Sequence, residues 1–208
     1  MGRKSRIIII SAPSGAGKST LIQLLLTRIP SLFFSISHTT RPPRDAERDG
    51  VEYFFIDRQQ FEEMIRNGEF LEWAQVHGHY YGTSRDMLRQ AEAHEKDLLL
   101  DIDVQGAAQV RTALPNAISI FLLPPSFEAL RVRILGRKTD TAEQVRQRVA
   151  NAQKEIQRYN EYEYVVLNDE LNAALEDLVR IIDSGSRNRE ISRESIEKIL
   201  KSFCQGQI

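Results

Sequence analysis

The chain opens with an apolar strand that runs directly into a glycine-rich turn and a helix, which limits it to a narrow set of folds. Residues 7–11 are four isoleucines and a serine, a run that predicts a buried β-strand. Residues 12–19 read APSGAGKS. Leucine and isoleucine recur at helical spacing over residues 21–29, which predicts a helix with a broad apolar stripe. A strand, loop and helix in this order begins an α/β fold.

The turn at residues 12–19 has the composition of a phosphate-binding loop. Its glycines let backbone N–H groups converge on phosphate oxygens, and the N-terminus of the following helix adds positive potential. Lys18 can reach the terminal phosphates of a nucleotide, and Ser19 can bind magnesium. Ala12 departs from the strict pattern, which has glycine there. An incidental glycine-serine turn is the alternative, but the agreement of strand, loop and helix favours nucleotide binding.

Strands and helices alternate along the rest of the chain. Apolar runs predict buried strands at residues 98–102, 118–122 and 164–167, with helical segments between them. This alternation indicates a parallel sheet flanked by helices. Asp140 and Glu143 resemble a capping box that opens a long helix.

Two segments interrupt this rhythm. Between residues 29 and 96 the predicted elements are shorter and more aromatic, which indicates an inserted subdomain. Residues 136–141 are charged and lack apolar periodicity, so they predict a short lid between two helices. The tail from residue 187 contains an amphipathic helix with Ile199 and Phe203, and dimerisation and docking onto the core explain that helix equally well.

The composition excludes several classes of protein. With 28 Lys plus Arg against 29 Asp plus Glu in 208 residues, the net charge of −1 gives no general support to nucleic-acid binding. No apolar run approaches the ~18 residues that a membrane-spanning helix needs, so we expect no membrane partner. The one cysteine, Cys204, cannot form an intrachain disulfide, and we expect a cytoplasmic protein. The oligomeric state is left open.

A pair of arginines lies in the loop of residues 37–44, after a predicted strand. Arg41 and Arg44 offer paired donors with permanent charge, so together they suit the phosphate of a nucleoside monophosphate. The hydroxyls of Tyr53 and Tyr81 can complete such a site. Taken alone, the pattern is explained equally well by surface arginines in a solvated turn.

Six segments stand in a fixed order along the chain: SAPSGAGKST, SISHTTRPPR, FLEWAQVHGHYYGTSR, LLLDIDVQG, LGRKTDT and VVLND. As a set they resemble the bacterial-type guanylate kinases over about residues 5–185. The resemblance implies the fold of a P-loop nucleoside monophosphate kinase. It also implies transfer of a phosphoryl group from ATP to GMP, and to dGMP, in purine nucleotide metabolism.

The resemblance implies a division of the chain as well. A core would span about residues 5–33 and 95–186, a GMP-binding insertion about 34–94 and a lid about 136–150, with a C-terminal tail at 187–208.

Residue roles follow from the same resemblance. For ATP it implies residues of the loop, the lid and a late strand end: Ser14, Gly15, Ala16, Gly17, Lys18, Ser19, Thr20, Arg133, Arg137 and Asn168. For GMP it implies Ser37, Arg41, Arg44, Tyr53, Glu72, Tyr81, Thr83 and Asp101. The catalytic cations would be Lys18, Arg41, Arg137 and Arg148. Lys138 departs from the glycine that the family usually has after the lid arginine.

The chemistry of guanine supports one of these roles independently. An ionised Glu72 can accept hydrogen bonds from N1–H and the exocyclic amine of guanine, whereas adenine presents an acceptor at N1. We therefore expect Glu72 to select the base. The alternative is a solvated acid beside Trp73, a residue that we expect to pack in the core.

Two acids stand near the end of the strand predicted at residues 98–102, where ligands of open α/β sheets gather. Asp101 has a Walker-B-like position, so with Ser19 it is our candidate for Mg²⁺, through a bound water. By resemblance it also approaches GMP. For Asp103, a functional role and a role as a helix cap explain the position equally well.

Two rivals differ in the features that they require. A noncatalytic module of the same family, which binds phosphorylated proteins, would typically lack the phosphate-binding loop that residues 12–19 retain. A kinase acting on a phosphosugar would have no use for Glu72.

Overall fold

The computed structural model describes residues 5–44, 46–76, 78–136, 141–186 and 190–206. The strands, in chain order, are β1 (Ile7–Ser11), β2 (Leu32–Phe34), β3 (His38–Thr39), β4 (Phe54–Phe55), β5 (Phe70–Val76), β6 (His79–Ser84), β7 (Asp97–Asp101), β8 (Ile118–Leu123) and β9 (Tyr164–Leu167). The helices are α1 (Lys18–Arg28), α2 (Arg58–Arg66), α3 (Arg85–Ala93), α4 (Val104–Ala113), α5 (Phe127–Leu135), α6 (Ala142–Glu155), α7 (Leu171–Ser184) and α8 (Arg193–Gln205), and a 3₁₀ helix spans Ile156–Glu161.

The chain divides into two compact units, residues 1–9 with 30–117 and residues 10–29 with 118–208. In the first unit the main-sheet strands run in the order β2-β7-β1, and β2 pairs in parallel with β7. A second sheet of this unit has the order β4-β3-β6-β5. Its β6 is antiparallel to both β3 and β5, so this sheet supplies the antiparallel part of the fold.

In the second unit the strand order is β1-β8-β9, and β8 and β9 are parallel with Ile120 opposite Tyr164. Helix α1 packs against α7, and α5 packs against α6 and α8. The predicted α/β fold with a mostly parallel sheet is confirmed.

The central strands are apolar along their length because they are covered on both faces. Residues 8–10, 98–100 and 120–123 are fully buried. At the start of β7, Asp97 is also buried and accepts hydrogen bonds from Arg6 Nη2 at 2.7 Å and Arg6 N at 2.9 Å. This pairing satisfies the carboxylate, whose burial without a partner would be costly.

Helix α6 begins at Ala142, one residue later than a capping box of Asp140 and Glu143 would place its start. Thr141 is its N-cap: its hydroxyl accepts from Gln144 N at 3.3 Å, and Gln144 Oε1 accepts from Thr141 N at 2.8 Å. The predicted pairing of Asp140 with Glu143 is therefore wrong. Asp140 itself lies outside the described residues, and Glu143 pairs instead with Arg146.

The C-terminal helix α8 docks onto its own unit. Phe203 is buried with its ring edge-on to Phe127 at 5.5 Å, and Ile199 is also buried. Ser202 Oγ accepts from Phe127 N at 3.0 Å. Of the two explanations for this amphipathic helix, docking onto the core is confirmed. Among the residues that the structure describes, no helix combines the length and apolar character needed to cross a bilayer.

Candidate active site

The glycine-rich loop joins β1 to α1 and takes a shape that needs its glycines. Gly15 and Gly17 have φ of 88° and 90°, in the left-handed region. A Cβ at Gly15 would lie 2.6 Å from Ile134, and one at Gly17 would lie 2.6 Å from Asn168. Ala16 N donates to Pro13 O at 3.0 Å, which closes the turn between the glycines and the strand.

Helix α1 starts at the end of this loop without a side-chain cap. Its N-cap residue is Gly17, which has no side chain, and its first turn carries Lys18, Ser19 and Thr20 and no acid. Ser19 and Thr20 are exposed. The N-terminus of a helix, where the backbone amides of the first turn have no partner within the helix and the dipole is positive, is in general suited to binding an anion.

Two residues that we predicted to bind ATP, Asn168 and Arg133, donate hydrogen bonds to the backbone of the loop. Asn168 Nδ2 donates to Ala16 O at 2.6 Å, and Arg133 Nη1 donates to the same carbonyl oxygen at 3.1 Å. Arg133 Nη2 also reaches Asn168 O at 3.3 Å. Asn168 is buried, and both its side-chain amide and its backbone carbonyl take part in these contacts.

Helix α6 contacts the loop at Ser14 through two side chains. Arg148 Nε donates to Ser14 Oγ at 3.0 Å, and Ser14 N donates to Glu155 Oε2 at 3.1 Å. The residues predicted from the motif and the lid thus meet at one loop. Glu155 was not among them, because the sequence around Glu155 and Ser14 carries no signal for a contact between residues so far apart in the chain. Arg137 and Lys138 lie outside the described residues.

In the first unit, two of the predicted phosphate residues, Tyr53 and Tyr81, lie beside Arg41. Its Nη2 donates to Glu47 Oε1 at 2.8 Å and its Nη1 to Pro42 O at 2.7 Å. The guanidinium carbon lies 5.5 Å from the centre of the Tyr53 ring, a distance suited to a cation–π contact. The hydrogen bond to Glu47 raises the pKa of Arg41, with a smaller contribution from Tyr81.

Tyr53 and Tyr81 lie beside each other, with their ring centres 5.8 Å apart. Burial raises the pKa of Tyr53 to about 12, and the negative charge of Asp101 adds to the effect. Tyr53 therefore keeps its proton near neutral pH and can donate a hydrogen bond. Arg44 is exposed, and its backbone N donates to Glu47 Oε2 at 2.8 Å.

The residues predicted to recognise the base lie on β5, on β6 and just before β3. Glu72 stands directly opposite Thr83, so both side chains project from the same face of this sheet. Both are buried, and within the described part of the chain Thr83 Oγ1 has no hydrogen-bond partner. Ser37 is half-buried, and its carbonyl accepts from Phe54 N at 2.9 Å.

Helix α4 leaves room for Glu72 at Gly106. A Cβ at Gly106 would overlap Glu72 Oε2 and lie 2.9 Å from its Cδ. The N-cap of α4 is Asp103, which accepts from Gly106 N at 2.8 Å and from Gln105 N at 3.1 Å, so of the two explanations left open for Asp103 the structure shows the helix cap. Asp101, at the end of β7, is half-buried.

The expectation that Trp73 packs in the core was wrong. Its side chain is among the exposed large apolar groups, at 37%. Alternation along β5 explains this, because Glu72 points to the buried face and its neighbour must point away. The backbone of Trp73 is held instead by Gln109, whose Nε2 donates to its carbonyl at 2.6 Å.

A phosphate-binding loop between a buried strand and a helix, together with an arginine- and tyrosine-rich cluster on a second sheet, defines a P-loop phosphotransferase. The guanylate kinase family model matches residues 4–185. The chain belongs to the guanylate kinase family, and it is an enzyme that uses ATP to phosphorylate GMP to GDP.

Individual relatives agree with this assignment. A guanylate kinase of Aromatoleum aromaticum is 50% identical over 85% of this chain and 86% of its own length. A guanylate kinase of Coxiella burnetii is 43% identical over 98% of this chain and 99% of its own. The crystal structure of guanylate kinase from Anaplasma phagocytophilum superposes with a TM-score of 0.72 at 30% identity, covering 93% of this chain and 94% of that one. Family membership excludes the phosphosugar kinase. The noncatalytic module is excluded by the high identity to relatives that are named guanylate kinases.

Proposed function

We propose that the loop at residues 14–20 binds the phosphates of ATP, with Lys18 on the terminal phosphates. Support comes from the uncapped, acid-free N-terminus of α1 and from the two left-handed glycines before it. Arg133 and Asn168 act at the same nucleotide, the first by supporting the loop and the second on the adenine side. Arg137 approaches ATP from the lid.

We propose that GMP binds to the cluster in the first unit. Arg41, Arg44, Tyr53 and Tyr81 take its phosphate, and Ser37, Glu72 and Thr83 take guanine, with Asp101 close to the nucleotide. The observation that carries this proposal is the buried pair of Glu72 and Thr83, whose hydroxyl lacks a protein partner in the described residues. A buried hydroxyl without a partner costs free energy unless a ligand supplies the missing hydrogen bond.

Phosphoryl transfer then needs alignment and charge rather than a nucleophilic side chain. Lys18, Arg41, Arg137 and Arg148 neutralise the charge that develops on the transferring group. Arg148, which donates to Ser14 Oγ, stands beside the loop for this purpose. Transfer follows closure of the GMP-binding insertion and the lid, because an open site would admit water as a competing acceptor.

We propose Mg²⁺ as the cofactor, bound with ATP. Ser19 Oγ, exposed in the first turn of α1, and the carboxylate of Asp101 are oxygen donors of the kind that Mg²⁺ prefers. In the described ranges no three His, Cys, Asp or Glu side chains group into a metal site, which fits an ion held mainly by phosphates and waters. When bound, Mg²⁺ would neutralise charge on the β- and γ-phosphates.

The domain assignment is part of the proposal. The core consists of about residues 5–33 and 95–186, the GMP-binding insertion of about 34–94 and the lid of about 136–150, followed by the tail at 187–208. We also propose dGMP as an acceptor, because phosphate and guanine, to which the residues above are assigned, are common to both nucleotides. The cytoplasm is the proposed location, consistent with a single cysteine in the chain.

A panel of nucleoside monophosphates tests the acceptor assignment. The purified chain is assayed with ATP and Mg²⁺ against GMP, dGMP, AMP, CMP and UMP, and ADP formation is followed. We expect turnover with GMP and dGMP and little hydrolysis of ATP when no acceptor is present. Robust turnover of AMP without GMP, or rapid ATP hydrolysis independent of GMP, would contradict the proposal.

A further inference from the structure

Glu47, in the loop between β3 and β4, divides its carboxylate between the two arginines of that loop. Oε1 accepts from Arg41 Nη2 at 2.8 Å, and Oε2 accepts from Arg44 N at 2.8 Å. The side chain of Glu47 is 16% exposed and that of Arg41 13% exposed, so this is not a solvated surface pair. None of the roles assigned above involves Glu47.

The contact restricts Arg41 before any ligand arrives. The guanidinium is held at Nη2 by Glu47, at Nη1 by Pro42 O, and over the rings of Tyr53 and Phe55 at 5.5 and 5.9 Å. An unrestrained arginine would lose considerable rotamer freedom on binding a phosphate, and prior ordering removes that cost. A guanidinium has five N–H donors, so these two bonds do not exhaust it.

Glu47 also fixes the turn that carries Arg44. Its backbone N donates to Arg44 O at 2.8 Å, while its side chain accepts from Arg44 N, so the two residues are joined by reciprocal hydrogen bonds. Both arginines therefore take their positions relative to one carboxylate.

We infer that Glu47 is a positioning residue for the acceptor phosphate, holding Arg41 and the Arg44 backbone in the arrangement that receives it. This rests on the proposed function, in which Arg41 and Arg44 bind the phosphate of GMP. An opposite effect is physically conceivable, because a carboxylate next to a phosphate site repels the incoming anion and competes for Arg41. The two effects give opposite signs on removal of the charge, so a measurement decides between them.

Glu47→Gln is the direct test, with Glu52→Gln as its matched control. The glutamine amide has one acceptor oxygen, so it can satisfy only one of the two donors. We expect KM for GMP to rise about tenfold, the size of one lost charge-assisted hydrogen bond, with kcat and KM for ATP within about twofold of wild type. Glu52 lies in the same loop and accepts from Arg48 N at 2.7 Å, and among the described residues it bonds no arginine side chain, so its substitution should leave all three parameters unchanged.

Binding of guanosine, measured by calorimetry beside GMP, separates positioning from a general structural effect. Guanosine lacks the phosphate, so Glu47→Gln should bind it as wild type does while binding GMP more weakly; equal weakening of both ligands would overturn the inference. Unchanged or tighter GMP binding would overturn it too.

Arg41→Met separates this inference from the proposed function. If Arg41→Met raises KM for GMP and Glu47→Gln does not, only the role of Glu47 is wrong. If Arg41→Met leaves KM for GMP unchanged, the assignment of Arg41 to the phosphate fails, and the role of Glu47 fails with it.

Discussion

Arg133 in the second unit and Arg41 in the first are both held before a nucleotide arrives, but by different chemistry. Arg133 donates to two backbone carbonyls, Ala16 O and Asn168 O, whereas Arg41 donates to the carboxylate of Glu47 as well as to Pro42 O. A carbonyl orients a cation and leaves its full charge in place, and a carboxylate orients it and cancels part of that charge. In our proposal, the loop assigned to the more highly charged nucleotide is thus the one held by an arginine whose charge is not offset by the carbonyls that it contacts.

The largest expected effect comes from removing the lysine of the loop. Lys18→Ala should lower kcat/KM by ~10²–10³-fold, the cost of losing one preorganised donor to a developing anion. Binding of GMP without ATP should not change if the two regions act independently. Steady-state kinetics and GMP calorimetry measure both quantities, and Lys154→Ala, at an exposed position of α6, is the control. Loss of GMP binding in Lys18→Ala would break the distinction between the regions.

Glu72→Gln tests the guanine-binding part of the proposed GMP site. The amide presents a donor where guanine also donates, so kcat/KM for GMP should fall by ~10–100-fold, with KM for ATP unchanged. The exposed Glu69 serves for comparison, because Glu69→Gln should have little effect. Equal kcat/KM values for the Glu72 variant and wild type would remove Glu72 from base recognition.

Gly106→Ala should produce a smaller loss in the same region. The new Cβ would overlap Glu72 Oε2, and displacement of that carboxylate should raise KM for GMP by ~10-fold, about what overpacking costs at a fixed site. Alanine has a higher helix propensity than glycine, so reduced helix propensity cannot explain the loss. In a Glu72→Gln background the same change should add little, since the two act through one contact. Full additivity in that double variant would show that Gly106 acts elsewhere.

The smallest effect concerns His38, between the rings of Phe54 and Phe70 on the first unit's second sheet. Burial lowers the pKa of His38 from its ordinary value of 6.5, against the opposing charges of Glu69 and Asp49. The unfolded chain therefore takes up a proton at a higher pH than the folded one, so this contribution to stability is present above 6.5 and is lost as the pH falls. The free energy of unfolding, measured with denaturant, should fall less between pH 7.5 and 5 for His38→Phe than for wild type. An equal loss would show that His38 does not contribute.

The features predicted best from the sequence are those whose residues are consecutive in the chain. The bounds of β1 and β9 are confirmed, and the loop of residues 12–19 could be recognised because every part of its chemistry lies within eight consecutive positions. Capping was predicted one residue early at α6, because Thr141 and Gln144 have the same spacing as Asp140 and Glu143. Neighbouring positions with equivalent capping chemistry cannot be ranked from sequence alone.

Contacts between distant segments were not predictable. Glu155 on Ser14 and Gly106 against Glu72 join residues far apart in the chain, and neither partner carries a mark of the other in its local sequence. Glu47 lies only three residues from Arg44, but a lone acid in a charged loop has no pattern that distinguishes it from solvated neighbours. The exposure of Trp73 was missed because residue type outweighed strand alternation in the prediction.

The two hydrogen bonds to Ala16 O have a consequence for when the loop can fold. Its two donors, Arg133 and Asn168, are synthesised 117 and 152 residues after the carbonyl that they hold. Such a contact can form only after the later residue has been synthesised, and closing so long a stretch of chain costs conformational entropy. Until Asn168 has been synthesised, the loop lacks one of the two side chains that hold Ala16 O, so on a ribosome its shape is completed only after the chain has been made past β9.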